Sequence, residues 1–256
     1  LANALITQID PWVTFDYNCT GLGCTDPFAY NFDQYATIED SSCLYNTYTY
    51  VPDDNFENYL EANGMGDGIA LNDTVLTSNI NTVNNLYLDS LSINNLIGIQ
   101  DFISLRTIDA SVNPLDSVDL SNNDSLTHVN LRYCNLDSLD LSDKSYLLEL
   151  ECSFNSLVDV NITQAVSLEK IIIYNNQLTN LNVNNSTNLN YLDCSDNLIS
   201  TLDLTNNTNL NHLSCAKNQL NSLDVSNNLI LQTLVLVDNQ VLNLDLTSNT
   251  ILDYLR

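Results

Sequence analysis

The feature that most constrains the fold of this chain is a 21-residue repeat, which runs seven times without a gap from residue 105 to residue 251. One copy reads LNYLDCSDNLISTLDLTNNTN over residues 189–209, and the next reads LNHLSCAKNQLNSLDVSNNLI over residues 210–230. A fixed period of this length predicts a solenoid, in which each turn packs on its neighbours. Such a protein offers long, regular faces and rarely a closed catalytic pocket. Each copy starts with an anchor leucine, at Leu105, Leu126, Leu147, Leu168, Leu189, Leu210 and Leu231.

The charge of the chain argues against two classes of partner. It has 6 Lys and Arg residues against 32 Asp and Glu residues, for a formal net charge of −26 at pH 7. Because nucleic acid and anionic lipid would be repelled, we expect no nucleic-acid partner. No run of residues approaches the apolar length of a membrane span, so none is expected. The few lysines, the many Asn, Thr and Tyr residues and a cysteine pair near the start favour a secreted or cell-surface protein.

Two segments precede the cap and the repeats. We interpret residues 1–18, which are apolar and then aromatic, as a tail or joint. Residues 19–50 contain too little apolar mass to fold by hydrophobic burial alone, so this unit needs a covalent staple. Cys24 and Cys43 are the natural disulfide, which closes a loop of about 20 residues and contributes roughly 3 kcal/mol in the chain-entropy model. The chain has an odd number of cysteines, seven, and the partner of Cys19 stays open.

The same small unit is rich in oxygen ligands at short spacing, which suit Ca²⁺. The spacing differs from that of an EF-hand loop, and an ordinary polar turn explains the same residues equally well. Ca²⁺ is therefore the one cofactor that the sequence suggests, with candidate ligands Asp26, Asn31, Asp33, Glu39 and Asp40.

Residues 51–82 are predicted to cap the first turn of the solenoid. The segment VPDDNFENYLEA, over residues 51–62, reads as a short helix, since Pro52 and two acids suit a helix N-terminus. Phe56, Tyr59 and Leu60 share one face of that helix. Such a cap covers the core that an end turn would otherwise expose.

Each repeat contains the pattern LxxLxLxxNxL, followed by a second LxxLxL run. Alternation in the first run predicts a short strand whose alternate side chains point inward. The second run predicts another extended segment, so we expect a flattened β solenoid with short parallel strands on both sides and little helix. The inward Asn should form a ladder that satisfies backbone groups, at Asn113, Asn155, Asn176, Asn197, Asn218 and Asn239, with Cys134 as the exception.

Two further columns follow from this register. Cys152, Cys194 and Cys215 take inward apolar positions, where they are expected as buried free thiols rather than disulfides or metal ligands. A column of Asp or Asn residues lies in the second run, where like charges repel each other between turns. Exposure to water is the simplest way to reduce this repulsion, and bound cations are the alternative.

These patterns resemble the leucine-rich repeat family over about residues 83–256. The LDLSNN-type second half resembles repeats of secreted proteins from Bacteroidota, as does the cap helix. The segment GCTDPFAYNFDQYATIEDSSC, over residues 23–43, resembles a short Cys- and Asp-containing repeat of extracellular proteins from the same bacteria. The resemblance implies a binding scaffold and no enzymatic activity. It departs from the family in that no closing cap appears before Arg256.

The outward positions of the first run are the ligand surface that the resemblance implies. Most of the basic residues, both histidines and several aromatic residues fall there, which is the mixture that anchors protein or sugar ligands. The alternative is that strands favour aromatic residues and that the cations balance nearby acids. The candidate ligand-binding residues are His128, Arg132, Tyr133, Phe154, Lys170, Tyr174, Tyr191, His212 and Lys217.

The sequence therefore predicts a secreted or cell-surface binding module, with roles such as cell adhesion, that holds a protein or glycan on this face. The alternative is a structural component of a larger surface assembly or filament. Copies of this chain or other surface proteins would then join through the N-terminal tail and an open C-terminal end. A weaker third reading is a targeting region attached to an enzyme. No GxSxG, HExxH or phosphate-loop motif occurs in the sequence.

Overall fold

The computed structural model describes residues 21–256. The described residues form two compact units, residues 21–47 and residues 48–256. The predicted tail over residues 1–18 and the cysteine Cys19 lie outside the described residues.

The smaller unit is held by its disulfide. Strands β1 (Leu22–Gly23) and β2 (Ile38–Glu39) pair in parallel. Cys24 and Cys43 are bonded, with their Cα atoms 4.6 Å apart, which confirms the predicted pairing. Among the described residues of this unit, Cys24 and Ala29 are the buried apolar side chains. So small a core explains why a covalent staple is needed.

The larger unit begins with a cap. Strand β3 (Tyr48–Tyr50) pairs antiparallel with β4 (Thr74–Leu76), and helix α2 (Thr77–Ile80) follows. Helix α1 (Asp54–Ala62) confirms the predicted cap helix. It starts at Asp54 because the Asp53 side chain, on extended backbone, accepts hydrogen bonds from the backbone N–H groups of Asn55 and Phe56, both at 3.0 Å.

The apolar face of α1 closes the first turn of the solenoid. Phe56 and Leu60 are fully buried, and the ring of Phe56 lies 6.1 Å from that of Phe102. Glu57 is buried as well, and its carboxylate accepts backbone N–H bonds from Asn72 at 2.9 Å and Asp73 at 3.1 Å. The helix therefore also fixes the loop that returns to β4.

The repeats form a parallel β solenoid. Nine strands pair side by side in one sheet, and beyond the first pair the paired residues are 21 positions apart. In chain order these strands are β5 (Asn85–Tyr87), β6 (Thr107–Asp109), β7 (His128–Asn130), β9 (Glu149–Glu151), β11 (Lys170–Ile172), β12 (Tyr191–Asp193), β13 (His212–Ser214), β14 (Thr233–Val235) and β15 (Tyr254–Leu255).

The predicted Asn ladder is confirmed. The Nδ2 of Asn197 donates to the carbonyls of Ile173, Cys194 and Ser195, each at 3.1 Å, and its Oδ1 accepts from the N–H of Leu178 at 3.0 Å. Each such Asn therefore joins two turns and satisfies buried backbone groups. At the exception, the Sγ of Cys134 donates to the Ala110 carbonyl at 3.4 Å.

The second run forms the opposite side of the tube, which we call the back side. Strands occur here as one parallel pair, β8 (Ser138–Asp140) with β10 (Asp159–Asn161), in the part of the chain that the structure describes. In the other repeats the second run is extended without strand pairing, and turns follow it. The predicted Asp and Asn column caps them, because each side chain accepts the backbone N–H two residues on, at 2.9–3.2 Å, at Asp119, Asp140, Asn161, Asn182, Asp203, Asp224 and Asp245.

A second, inner Asn ladder lies on the back side, and the sequence pattern did not reveal it. The Nδ2 groups of Asn207, Asn228 and Asn249 each donate to backbone carbonyls of the preceding turn. Lys144 occupies the same position in its own turn. It is buried, and its Nζ donates to the Ser121 carbonyl at 3.0 Å. The last Asn of the segments LTNN, VSNN and LTSN is therefore an inward amide as well as part of a turn.

Candidate ligand-binding face

The candidate site is the outer surface of the nine-stranded sheet, which we call the strand face. Its register follows from each strand's alternation, since the middle residue of a strand such as Leu192 is buried and its neighbours are less so. The same position in successive turns forms a column along the face. The columns thereby bring residues together that are 21 or 42 positions apart in the sequence.

Four of the predicted ligand residues form one aromatic cluster, which consists of Arg132, Tyr133, Phe154 and Tyr174. The rings of Tyr133 and Phe154 stack with centroids 4.2 Å apart, and the rings of Phe154 and Tyr174 form a T-shaped pair with centroids 5.0 Å apart. The Arg132 guanidinium carbon lies 4.8 Å from the Tyr133 centroid and 5.2 Å from that of Phe154. These are the geometries of aromatic stacking and of a cation–π contact.

Arg132 reaches across a whole turn. Its Nη2 donates to the hydroxyl of Tyr174, two turns on, at 3.1 Å. The turn between them carries Ser153 in the same column, fully buried, with no hydrogen-bond partner for its Oγ within residues 21–256. The Nε of Arg132 is also without a hydrogen-bond partner there, at 3.6 Å from the Glu151 carboxylate. The cluster therefore covers polar groups that it does not fully satisfy.

Three basic residues of the strand face are paired with acids of the same face. Arg132 lies beside Glu151, the Nζ of Lys170 is 3.4 Å from Glu149, and the Nζ of Lys217 is 3.1 Å from Asp196. Such half-exposed pairs contribute at most about 1 kcal/mol each, but they cancel the local positive charge. Other acids of this face, Asp109, Asp193 and Asp238, take part in none of the ion pairs found over residues 21–256.

The remaining predicted residues lie further along the face. Tyr191 and His212 form a second aromatic pair, with stacked rings whose centroids lie 4.2 Å apart and whose planes are nearly parallel, at 1°. Burial raises the pKa of Tyr191 and lowers the pKa of His212, so both groups favour their neutral forms. The Nδ1 of His128 shares a hydrogen bond with the Thr127 hydroxyl at 2.9 Å.

The column that follows each strand adopts left-handed backbone, which the sequence pattern did not predict. In the seven 21-residue repeats, each residue of this column has φ between 51° and 60°. Asn and Asp tolerate this conformation, but bulky and β-branched residues do so at a cost of about 1–2 kcal/mol each. Asn175, Asp196 and Asp238 follow this preference, whereas the first three turns hold Val112, Tyr133 and Phe154.

We call these three side chains the apolar stripe. Val112 is 51% exposed and Tyr133 is 46% exposed, and Phe154 is partly buried between its aromatic neighbours. Strained positions of this kind concentrate at functional sites. The stripe therefore places apolar groups at the edge of the strand face at a cost to backbone stability.

A groove of about 190 Å³ lies on the strand face. We call it the acidic groove because its lining has three carboxylates against the single ammonium of Lys170. The carboxylates belong to Asp109, Glu149 and Glu151, and Asn130 and His128 also line it. Glu151 links the groove to the aromatic cluster through Arg132.

The predicted calcium residues all lie in the small unit and serve its turns. The Asp26 carboxylate accepts from the Tyr45 hydroxyl at 2.6 Å, and Glu39 accepts from the backbone N–H of Thr25 at 2.9 Å. These bonds are the main causes that lower the pKa of Asp26 and of Glu39. Asp33 and Asp40 cap the N–H two residues on, and Asn31 bonds to Ser42 and Leu44. Calcium binding here stays a prediction.

The cysteines of the repeats are buried and unpaired, as predicted. Burial raises the pKa of the Cys134 thiol to about 11 and that of Cys215 to about 12. At neutral pH they are thiols, which are poor nucleophiles and poor metal ligands. They serve as small core residues.

Comparison with solved structures identifies the architecture as the leucine-rich repeat fold. Internalin C2 of Listeria monocytogenes matches at a TM-score of 0.64 and 21% identity, over 81% of this chain and 97% of that one. A leucine-rich repeat protein of Leptospira interrogans matches at 0.53 and 20%, over 69% of this chain and 55% of that one. The ectodomain of the Arabidopsis thaliana receptor kinase GASSHO1/SCHENGEN3, solved with Casparian strip integrity factor 2, matches at 0.57 and 19%.

The similarity is one of fold and is limited in extent. The chain spans 55% of the Leptospira protein. It spans 24% of the plant ectodomain, and that match covers 70% of this chain. No protein-family model and no curated protein matches the sequence. The longest helix of the described residues is α1, with nine residues, and no helix among them is long and apolar enough to cross a membrane.

Proposed function

We propose that this protein is a non-enzymatic binding module of the cell exterior or cell surface, which holds its partner on the strand face. The observation that carries this proposal is the aromatic cluster, where stacked rings, a guanidinium and unsatisfied polar groups meet on one exposed surface. Aromatic residues and arginine supply most of the binding energy at interfaces. The leucine-rich repeat fold supports the role, since solenoids present extended surfaces for partners.

The test combines binding arrays with a face variant. The chain is applied to a glycan array and to a peptide array, and every ligand found is measured again with a variant that carries Arg132→Ala and Tyr174→Ala. These changes break the Arg132–Tyr174 bond and uncover Ser153. A matched control carries Thr201→Ala and Ser222→Ala on the back side, where both residues line a polar groove.

We expect the face variant to weaken binding at least about tenfold and the control to leave it unchanged. Circular dichroism checks that both variants fold. Ligands that bind both variants equally well, or arrays without any ligand, would reject the strand face as the binding surface.

A further inference from the structure

In the apolar stripe, residues that disfavour left-handed backbone nevertheless adopt it. Asn175 holds the equivalent position in the fourth turn at φ 58°, so an amide fits this conformation. Val112, Tyr133 and Phe154 replace such a residue in three consecutive turns. Because the exposed parts of these side chains add little to the core, the strain they cost calls for another role.

The ring faces of the stripe are largely occupied. Phe154 stacks on one face of Tyr133, at 10° between the planes, and the Arg132 guanidinium lies over both rings. A sugar ring binds an aromatic residue through an open ring face, whereas apolar side chains also pack against ring edges and aliphatic groups. Val112, the third member, has no ring. The stripe therefore suits the apolar side chains of a polypeptide better than a glycan.

The negative charge of the acidic groove favours a partner with positively charged side chains. The acidic groove has three carboxylates and one ammonium, and Lys170, which supplies the ammonium, is already paired with Glu149. Arg132 is likewise beside Glu151. The whole chain carries −26, so its field attracts cations and repels anions. A lysine or arginine side chain in this groove would meet opposite charge at close range and at long range.

We infer that the strand face binds a polypeptide segment with both apolar and basic side chains. Its apolar side chains pack on Val112, Tyr133 and Phe154, and a lysine or arginine enters the groove lined by Asp109, Glu149 and Glu151. This inference rests on the proposed function and assigns its partner class.

The test uses four fluorescein-labelled peptides of nine residues. Three of them alternate Lys with Leu, Lys with Ser, or Glu with Leu, and the fourth is all lysine. Fluorescence anisotropy in 150 mM NaCl measures their binding to the wild-type chain. We expect the Lys–Leu peptide to bind at least about tenfold more tightly than each of the others, since it alone offers both kinds of contact.

Three variants locate the contact. A stripe variant carries Val112→Asn, Tyr133→Asn and Phe154→Asn, which suit left-handed backbone and so preserve the fold. A groove variant carries Asp109→Asn, Glu149→Gln and Glu151→Gln. The matched control removes the same three charges from the back side through Asp203→Asn, Asp224→Asn and Asp245→Asn, where Asn161 and Asn182 show that an amide caps the turn equally well.

The stripe and groove variants should each weaken binding of the Lys–Leu peptide at least about tenfold, and the control less than about twofold. Full binding by the stripe variant overturns the inference. Equal weakening by the control also overturns it, because general charge attraction would then explain the binding, and so does equal binding of the Glu–Leu peptide. If array ligands depend on Arg132 and Tyr174 while the Lys–Leu peptide fails, the proposed function stands and only the partner class is rejected.

Discussion

Replacing Asn197 with alanine should lower the free energy of unfolding by about 3 kcal/mol. The change leaves the buried N–H of Leu178 without an acceptor, which costs about 2 kcal/mol. The carbonyls of Ile173, Cys194 and Ser195 lose one bond each. They keep those from Asn176, Asn218 and the backbone N–H of Asn175, so together they add only about 1 kcal/mol. The sharing of carbonyls between rungs therefore limits the loss at any single position.

Urea unfolding followed by circular dichroism measures this change. Asn209→Ala is the matched control, since Asn209 is an exposed Asn whose Nδ2 makes one bond, to the Thr187 carbonyl at 3.2 Å, and its loss should cost less than about 0.5 kcal/mol. A loss below about 1 kcal/mol at Asn197 would refute the reasoning that the ladder holds adjacent turns together.

Three further predictions concern titration and metal binding. Because the folded pKa of His212 is lowered by burial, the unfolded chain binds its proton more readily. The wild-type chain should therefore lose stability relative to His212→Gln as pH falls below about 6.5, and parallel urea curves at pH 5 and 8 would contradict this. In a Cys19→Ser variant, the four repeat thiols should react with DTNB at pH 8 only after guanidinium unfolding, and a native thiol that reacts fast would disprove their burial. If Ca²⁺ binds the small unit through its five predicted ligands, EDTA should lower its melting temperature and added Ca²⁺ should restore it, whereas unchanged melting would refute calcium binding.

The sequence predicted correctly those positions at which one residue type has the same role in every turn. The anchor leucines and the ladder Asn recur at a fixed spacing, and each must satisfy the same inward environment. The burial of the leucines and the inward hydrogen bonds of the Asn side chains therefore followed from the period. The Cys24–Cys43 bond followed from a unit too small to fold without it. The helix bounds differed slightly from the prediction, because Asp53 acts as the cap rather than as part of the helix.

The features that the sequence did not predict are those in which successive turns repeat a backbone conformation but not a residue type. The left-handed column holds Val, Tyr, Phe, Asn, Asp and Lys, so no residue type marked its conformation. The inner Asn ladder was hidden for a similar reason, since Lys144, Ala165 and Ser186 hold the same position in earlier turns and the NN pairs read as turns. The nine predicted ligand residues also gave no indication of which of them touch each other.

The sequence by itself determined the solenoid, its 21-residue register, the inward and outward positions and the excess of negative charge. These follow from local periodicity, because a repeated environment imposes a repeated residue. Only the tertiary structure decided that Arg132 spans two turns to reach Tyr174 and that each basic residue of the candidate site has an acid beside it. It also decided that Arg132 and Glu151 link an apolar stripe to an acidic groove. These features depend on side-chain reach between stacked turns, which the repeat brings close in space but leaves free to vary in chemistry.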